Sequence, residues 1–150
     1  MKAIITVGVS ASGKSTWAKE YAKANKAIIS NRDDLRFSLT GSSGWDEYRF
    51  NGKIEKLVTS MQMNLLTHNH TLIRRDVVIA DTNLNHDSRA RLIKACAGIG
   101  YEVEVLAFPI SLEDAIDRDW RRCGSRVGSS VIELQYKTWL EFLKEHRGNI

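Results

Sequence analysis

Four short apolar runs alternate with stretches whose apolar positions recur at helical spacing. Ile4-Ile5-Thr6-Val7, Ala27-Ile28-Ile29-Ser30, Val77-Val78-Ile79-Ala80 and Val103-Glu104-Val105-Leu106-Ala107-Phe108 read as strands. The third is nearly all apolar, as a strand covered on both faces should be. Between them the pattern predicts a helix over Thr16 to Ala24 and a helical turn around Asp34 to Leu39. Thr40-Gly41-Ser42-Ser43-Gly44 reads as a loop. From Lys53 onward, Ile54, Leu57, Val58, Met61 and Leu65 form an apolar stripe, with Met61 and Met63 expected in the core. Ala90, Ile93 and Ala97 mark another helix, ended by Gly98 and Gly100. Ser111 with Asp114, and Ser130 with Glu133, have the spacing of capping boxes. The helix after Ser130 is expected to bury Ile132, Tyr136, Trp139 and Leu143. Strands alternating with helices imply right-handed crossovers, hence an α/β sandwich with a mostly parallel sheet flanked by helices.

Composition narrows the picture. The 150 residues suit one domain over 1–150, and a single proline with no low-complexity run leaves no evident linker. Hydrophobic residues at 43% and charged residues at 27% exclude a disordered chain. No apolar run approaches the roughly 20 residues of a membrane span. The apolar start is too short for a secretory signal, so the expectation is a cytoplasmic protein with no membrane partner. Self-association is left open. Cys96 and Cys123 lack the spacing of a metal or redox pair and are expected as free thiols. His68 and His70 have no third ligand nearby and read as surface residues. The net charge of +4 suits an anionic substrate.

The strongest chemical signal is Gly8-Val9-Ser10-Ala11-Ser12-Gly13-Lys14-Ser15, a GxxxxGK[ST] match with a strand before it and a helix after. Glycines let the backbone approach phosphates, and successive amides form an anion cup. The following helix adds its positive end. Gly8, Ser10, Ala11, Ser12, Gly13, Lys14, Ser15 and Thr16 are therefore expected to hold a nucleoside triphosphate, ATP or another. Lys14 reaches the β- and γ-phosphates, and the Ser15 hydroxyl is placed for Mg²⁺. No NKxD-type guanine motif is present, and there is little length for the added domains of motor ATPases.

A kinase also needs a base and an acceptor site. The second strand ends in Asn31-Arg32-Asp33-Asp34-Leu35-Arg36, and strand C-termini line the crevice of a parallel sheet. Asp33 can take the proton of an attacking hydroxyl, while Arg36, three residues on, can hold an acceptor phosphate. Helix capping by Asp33 or Asp34 is the structural alternative. The third strand ends in Asp81-Thr82-Asn83, assigned to the substrate side. Asp81 either acts on Mg²⁺ from a Walker B-like position or pairs with Arg36 and orients it; Asn83 can instead simply enter the next turn. In Arg118-Asp119-Trp120-Arg121-Arg122-Cys123-Gly124-Ser125-Arg126, four arginines in nine positions suggest a lid over the donor phosphates. Arg118 and Arg122, four apart, are expected on one helical face as donor ligands, with Arg121 pointing elsewhere. Trp45, Tyr48 and Trp120 can stack on bases, although packing is the simpler reading.

Together these segments resemble the kinase domain of the bacteriophage-type 5′-polynucleotide kinases: GxxxxGKSTWAKE at Gly8 to Glu20, NRDDLR at Asn31 to Arg36, DEY at Asp46 to Tyr48, DTNLN at Asp81 to Asn85, and RxxxR at Arg118 to Arg122. The resemblance implies transfer of the ATP γ-phosphate to 5′-OH ends of DNA or RNA. It implies that Asp33 is the general base, Arg36 contacts the acceptor phosphate, Asp81 supports that arginine and Arg122 contacts the donor phosphates. Ser10-Ala11 stands where the family commonly has Pro-Gly, tolerable if Ala11 keeps negative φ. Gly128 stands where proline often follows the lid valine, so a looser lid is expected. No DxDGT motif is present, so no phosphatase activity is expected. A small-molecule or nucleoside kinase could use the same parts without needing Arg36, and a nucleotide-binding regulatory module would have no use for Asp33.

Overall fold

A computed structural model describes residues 1–124 and 126–146. Four strands, β1 (Lys2–Val7), β2 (Ile28–Ser30), β3 (Val77–Ile79) and β4 (Glu102–Ala107), form one parallel sheet in the order β2-β3-β1-β4. The register pairs Ile4 with Val78 and Glu104, and Ile29 with Val78. The helices are α1 (Lys14–Asn25), α2 (Arg32–Thr40), α3 (Gly52–His68), α4 (His86–Ile99), α5 (Leu112–Trp120) and α6 (Ser129–Glu145), with a π-helical turn at Asn69–Ile73 after α3. The α/β sandwich expected from the alternation of patterns is the fold observed.

Alternation along β1 sends its side chains to opposite faces. Ile4 packs with Ala18, Val78 and Ala80 under α1, joined by Trp17 and Tyr21. Ala3 and Ile5 enter a second core with Leu66, Ile79 and Cys96 beneath α3 and α4. Val7 and Val9 enter a third with Ala115, Ile132, Trp139 and Phe142 beneath α5 and α6. Both sheet faces are thereby covered, which a parallel sheet requires.

Several local expectations are corrected. The buried stripe of α3 is Val58, Gln62 and Leu66, while Leu57 is 48% exposed. Its buried polar member, Gln62, carries no hydrophobic signal. In α4 the buried positions are Arg89 and Cys96, with Ala90 and Ala97 exposed. Arg89 is held by the carbonyls of Asn83 (3.0 Å) and Leu84 (2.9 Å) and lies against Phe142. Gly98 lies inside α4, which ends at Gly100 in the left-handed region, φ 115°. Ser111 caps α5 through the Asp114 amide, but Ser130 does not cap α6, whose N-cap is Gly128. His70 is half-buried against Tyr101, centroids 4.9 Å apart, and only His68 is at the surface. Cys96 and Cys123 are free thiols, the first buried and pushed up to about 11 by that burial.

Candidate active site

The carboxyl ends of β1, β2 and β3 and the start of α6 enclose a cleft of about 860 Å³. Its floor is the loop from β1 to α1. Gly8 has no room for a side chain, since a methyl group there would come 2.8 Å from Ser12 Oγ and 3.0 Å from the Phe108 carbonyl oxygen. Gly13 caps α1 in the left-handed region, and the first turn of α1 holds no acidic residue. The helix therefore presents its positive end and free amides to the cleft without internal competition. Ser10, Ala11, Ser12, Gly13, Lys14, Ser15 and Thr16 all line it.

Lys14 is folded over the loop. Its Nζ donates to the carbonyls of Gly8 (2.9 Å) and Val9 (2.6 Å) and to Ser12 Oγ (3.1 Å). Burial, helped by the nearby Arg122, lowers its ammonium to about 8, with Asp81 and Asp33 opposing. Ala11 does not keep negative φ: it sits at φ 64°, the left-handed region where the family's glycine is unstrained. The Ser10 amide is taken by Gln135 Oε1 of α6 at 2.7 Å, a brace that no local motif announces.

The opposite wall is α2. Its N-cap is Asn31, whose Oδ1 accepts from the amides of Asp33 (2.8 Å) and Asp34 (3.2 Å), so neither aspartate is needed for capping. Asp33 lines the cleft, as does Arg36 one turn on. Arg36 Nη1 donates to Asp33 Oδ1 at 2.5 Å. Burial pushes the Asp33 carboxyl above its ordinary value against the opposing pull of Arg36.

Arg36 itself is only 7% exposed. Its Nε and Nη2 donate to Glu55 Oε1 (2.6 Å) and Oε2 (2.8 Å), and the rings of Trp45 and Tyr48 lie 5.2 and 5.6 Å from its guanidinium carbon. Trp45 lines the cleft, whereas Tyr48 is buried, its hydroxyl bonded to Glu55. Glu55, 19 residues downstream on α3, was not legible as a site residue.

Asp81 does not pair with Arg36. Its Oδ1 accepts from the Arg32 amide (2.7 Å) and its Oδ2 from Gln62 Nε2 (2.8 Å), so it fixes the entry to α2 from below. Burial raises its carboxyl. Thr82 lines the cleft and its carbonyl accepts from the Gly8 amide at 3.1 Å, joining the β3 end to the loop. Asn83 turns away at φ 46° and bonds the Thr6 carbonyl, bracing β1 against β3.

The segment after α5 closes the cleft. Arg122 lines it, but Arg118 does not. α5 ends at Trp120, so the expected shared helical face of Arg118 and Arg122 does not exist, and Arg118 lies on the solvent side. Arg121 pairs with Asp117 at 3.0 Å on the surface. Asp119, buried, accepts from the Val127 and Gly128 amides, both at 3.0 Å, and so fastens the return to α6. Gly128 sits at φ 98°, where proline could neither fit nor supply this donor. The junction is held rather than loose. Trp120 is exposed outside the cleft beneath Arg126, 4.4 Å from its ring. Across the mouth, a methyl group at Gly44 would come within 2.5 Å of the Gly124 carbonyl oxygen, so the α2–α3 loop and the lid loop touch.

An anion cup at the end of the first strand, with a carboxylate and an arginine facing it, defines a P-loop phosphotransferase: a kinase using a nucleotide phosphate donor. The chain belongs to the AAA_33 family of AAA domains, whose profile matches residues 4–146. It is 30% identical over 147 residues to a protein of Autographa californica nuclear polyhedrosis virus, provisionally named a bifunctional polynucleotide kinase/RNA ligase, covering 92% of this chain and 21% of that one. The fold matches a chain of the Pnkp1/Rnl/Hen1 RNA repair complex with a TM-score of 0.81 and 25% identity, over 96% of this chain and 45% of that one. A gluconokinase from Sinorhizobium meliloti shares the fold, with a TM-score of 0.65 at 21% identity over 99% and 78% of the two chains. The chain thus spans about a fifth of the viral protein and under half of the RNA repair chain. No helix among the described residues is long and apolar enough to cross a membrane.

Proposed function

We propose that residues 1–150 form the kinase unit of an ATP-dependent polynucleotide 5′-hydroxyl kinase acting on ends of DNA or RNA. The observation that carries this reading is the joined pair of Asp33 and Arg36 on the wall facing the P-loop. Such a wall suits an acceptor that carries a hydroxyl and an anionic group a few bonds apart. A 5′-OH nucleotide with a 3′-phosphate has both. The likeness to proteins named for polynucleotide kinase and RNA repair supports the same reading.

In this mechanism the amides of Ser12 to Ser15 and the Lys14 ammonium hold the donor phosphates, and Lys14 leaves its own loop to do so. Asp33 takes the proton as the 5′-oxygen attacks the γ-phosphorus in line, and ADP leaves as the bridging bond breaks. Arg122 offsets the charge spreading over the transferring group. Among the described residues no group of three or more His, Cys, Asp and Glu could hold a metal ion. Ser15, on the cleft at the start of α1, would offer its hydroxyl to Mg²⁺ arriving with the triphosphate. When bound, Mg²⁺ would supply charge neutralisation at the phosphates.

The test is transfer from γ-labelled ATP to a 5′-OH oligonucleotide, a 3′-nucleotide, a free nucleoside and gluconate. Labelling of the first two is expected. Labelling of gluconate or the nucleoside alone would replace this reading with a small-molecule kinase, and labelling of nothing would point to a regulatory module.

A further inference from the structure

We propose that Glu55 is the positioning residue of the acceptor site: it grips Arg36 by one edge, so that the remaining donors read the acceptor phosphate and one oxygen of Asp33 stays free for the proton. The inference rests on the polynucleotide reading and adds to it the residue that makes Arg36 selective.

A guanidinium has five N–H donors in a rigid plane. Glu55 takes two of them side-on, at Nε and Nη2, and Asp33 takes one at Nη1. The two that remain belong one to Nη1 and one to Nη2, a pair suited to two phosphate oxygens. Glu55 is held in turn by the Tyr48 hydroxyl at 2.6 Å on Oε1 and, more weakly, by Arg32 Nη2 at 3.4 Å on Oε2. Hydrogen bonding to Arg36, then to Tyr48, lowers its carboxyl to about 2, so it stays anionic across working pH. Asp81, the other carboxylate considered for this duty, has both oxygens committed elsewhere.

The consequence for the base follows from charge. Arg36 is buried among aromatic rings, where a cation needs an anionic partner. With Glu55 in place, Asp33 spends only Oδ1 on it, and Oδ2 accepts no hydrogen bond from the described residues. Without Glu55, the guanidinium would turn fully onto Asp33 and occupy both oxygens. One carboxylate thereby serves phosphate reading and base availability together.

The experiment compares Glu55→Gln with the wild type on a 3′-nucleotide and on the matching nucleoside. The acceptor KM for the 3′-nucleotide is expected to rise roughly ten- to hundredfold, the range for a charged hydrogen bond. The ATP KM should stay within about twofold, while kcat falls on both acceptors because Asp33 is then held at both oxygens, so the loss in kcat/KM is larger for the 3′-nucleotide than for the nucleoside. The double variant Arg36→Ala/Glu55→Gln should be no worse than Arg36→Ala, because both remove the same contact. Tyr48→Phe, which keeps the ring, should shift the same KM in the same direction by less. Melting curves separate these effects from misfolding. Equal losses on all acceptors, a raised ATP KM, or additive effects in the double variant would overturn the positioning role. Wild-type transfer indifferent to the 3′-phosphate would overturn the polynucleotide reading and this inference with it. Phosphate-dependent transfer that Glu55→Gln leaves intact would overturn this inference alone.

Discussion

The donor floor and the acceptor wall face each other across one cleft, but they are assembled differently. The floor is eight consecutive residues whose work is done largely by main-chain amides, with one lysine and one hydroxyl added. The wall is side chains from α2, the α2–α3 loop and α3, joined by ion pairs among Asp33, Arg36, Glu55 and Arg32. A backbone cradle suits what nucleotide donors share, their phosphates. A side-chain wall can be rebuilt for a different acceptor without disturbing the sheet. A fold can be kept in this way while the chemistry it carries changes.

That contrast can be broken in graded ways. Lys14→Ala should give the largest effect, roughly a 10³-fold loss of transfer to every acceptor, with nucleotide affinity falling as well. Asp33→Ala should cost roughly 10²- to 10³-fold in kcat while ATP binding, read by calorimetry, is unchanged. The wild type should lose activity as pH falls through a value raised above that of an ordinary aspartate, because burial raises this carboxyl and a protonated base cannot act. That acid limb should vanish in the variant. Donor affinity lost in Asp33→Ala would show that the two walls are not separable.

On the proposed reading, the lid belongs to the donor side. Arg122→Ala should reduce kcat about ten- to hundredfold, whereas Arg118→Ala, outside the cleft, should stay within about twofold of wild type. Equal losses from both would return Arg118 to the site. Lys14 gives a pH test of the floor alone. Nucleotide binding needs the ammonium, which burial lowers to about 8, so affinity is intact below that pH and lost above it. The dissociation constant should rise by at most about tenfold per pH unit there. The smallest effect is structural: Ala11→Gly relieves a left-handed alanine and should add about 0.5 kcal/mol, seen as a melting point roughly 1–2 °C higher.

Contiguity explains what could be read in advance. The P-loop is local in sequence, and Asn31 to Arg36 sits at a strand end that the sheet geometry aims at the cleft. Asp33 and Arg36 therefore followed from spacing and strand order. Glu55, Gln62 and Gln135 did not. Each bonds an element distant in sequence, Glu55 to α2, Gln62 to the ends of β2 and β3, and Gln135 to the P-loop. The faces of α3 and α4 were misplaced for the same reason: buried Gln62 and Arg89 are satisfied by partners from other elements, which no periodicity of apolar residues records. Asp81 stands at its strand end as expected; of the two duties left open for it, pairing with Arg36 is not observed, because its oxygens go to the Arg32 amide and Gln62, and a carboxylate's partners depend on which donors the fold delivers.

By itself, the sequence determined the α/β alternation, the phosphate cup and the residues at each strand end, since these depend on local periodicity and on what a glycine, lysine or hydroxyl can do in a turn. Only the tertiary structure decided which charged groups meet. It gave Arg36 to Glu55 rather than Asp81, brought Arg122 into the cleft while leaving Arg118 outside, and fastened the lid through buried Asp119. A buried charge is tolerable only beside its partner, and that partner is chosen by packing between helices rather than by distance along the chain.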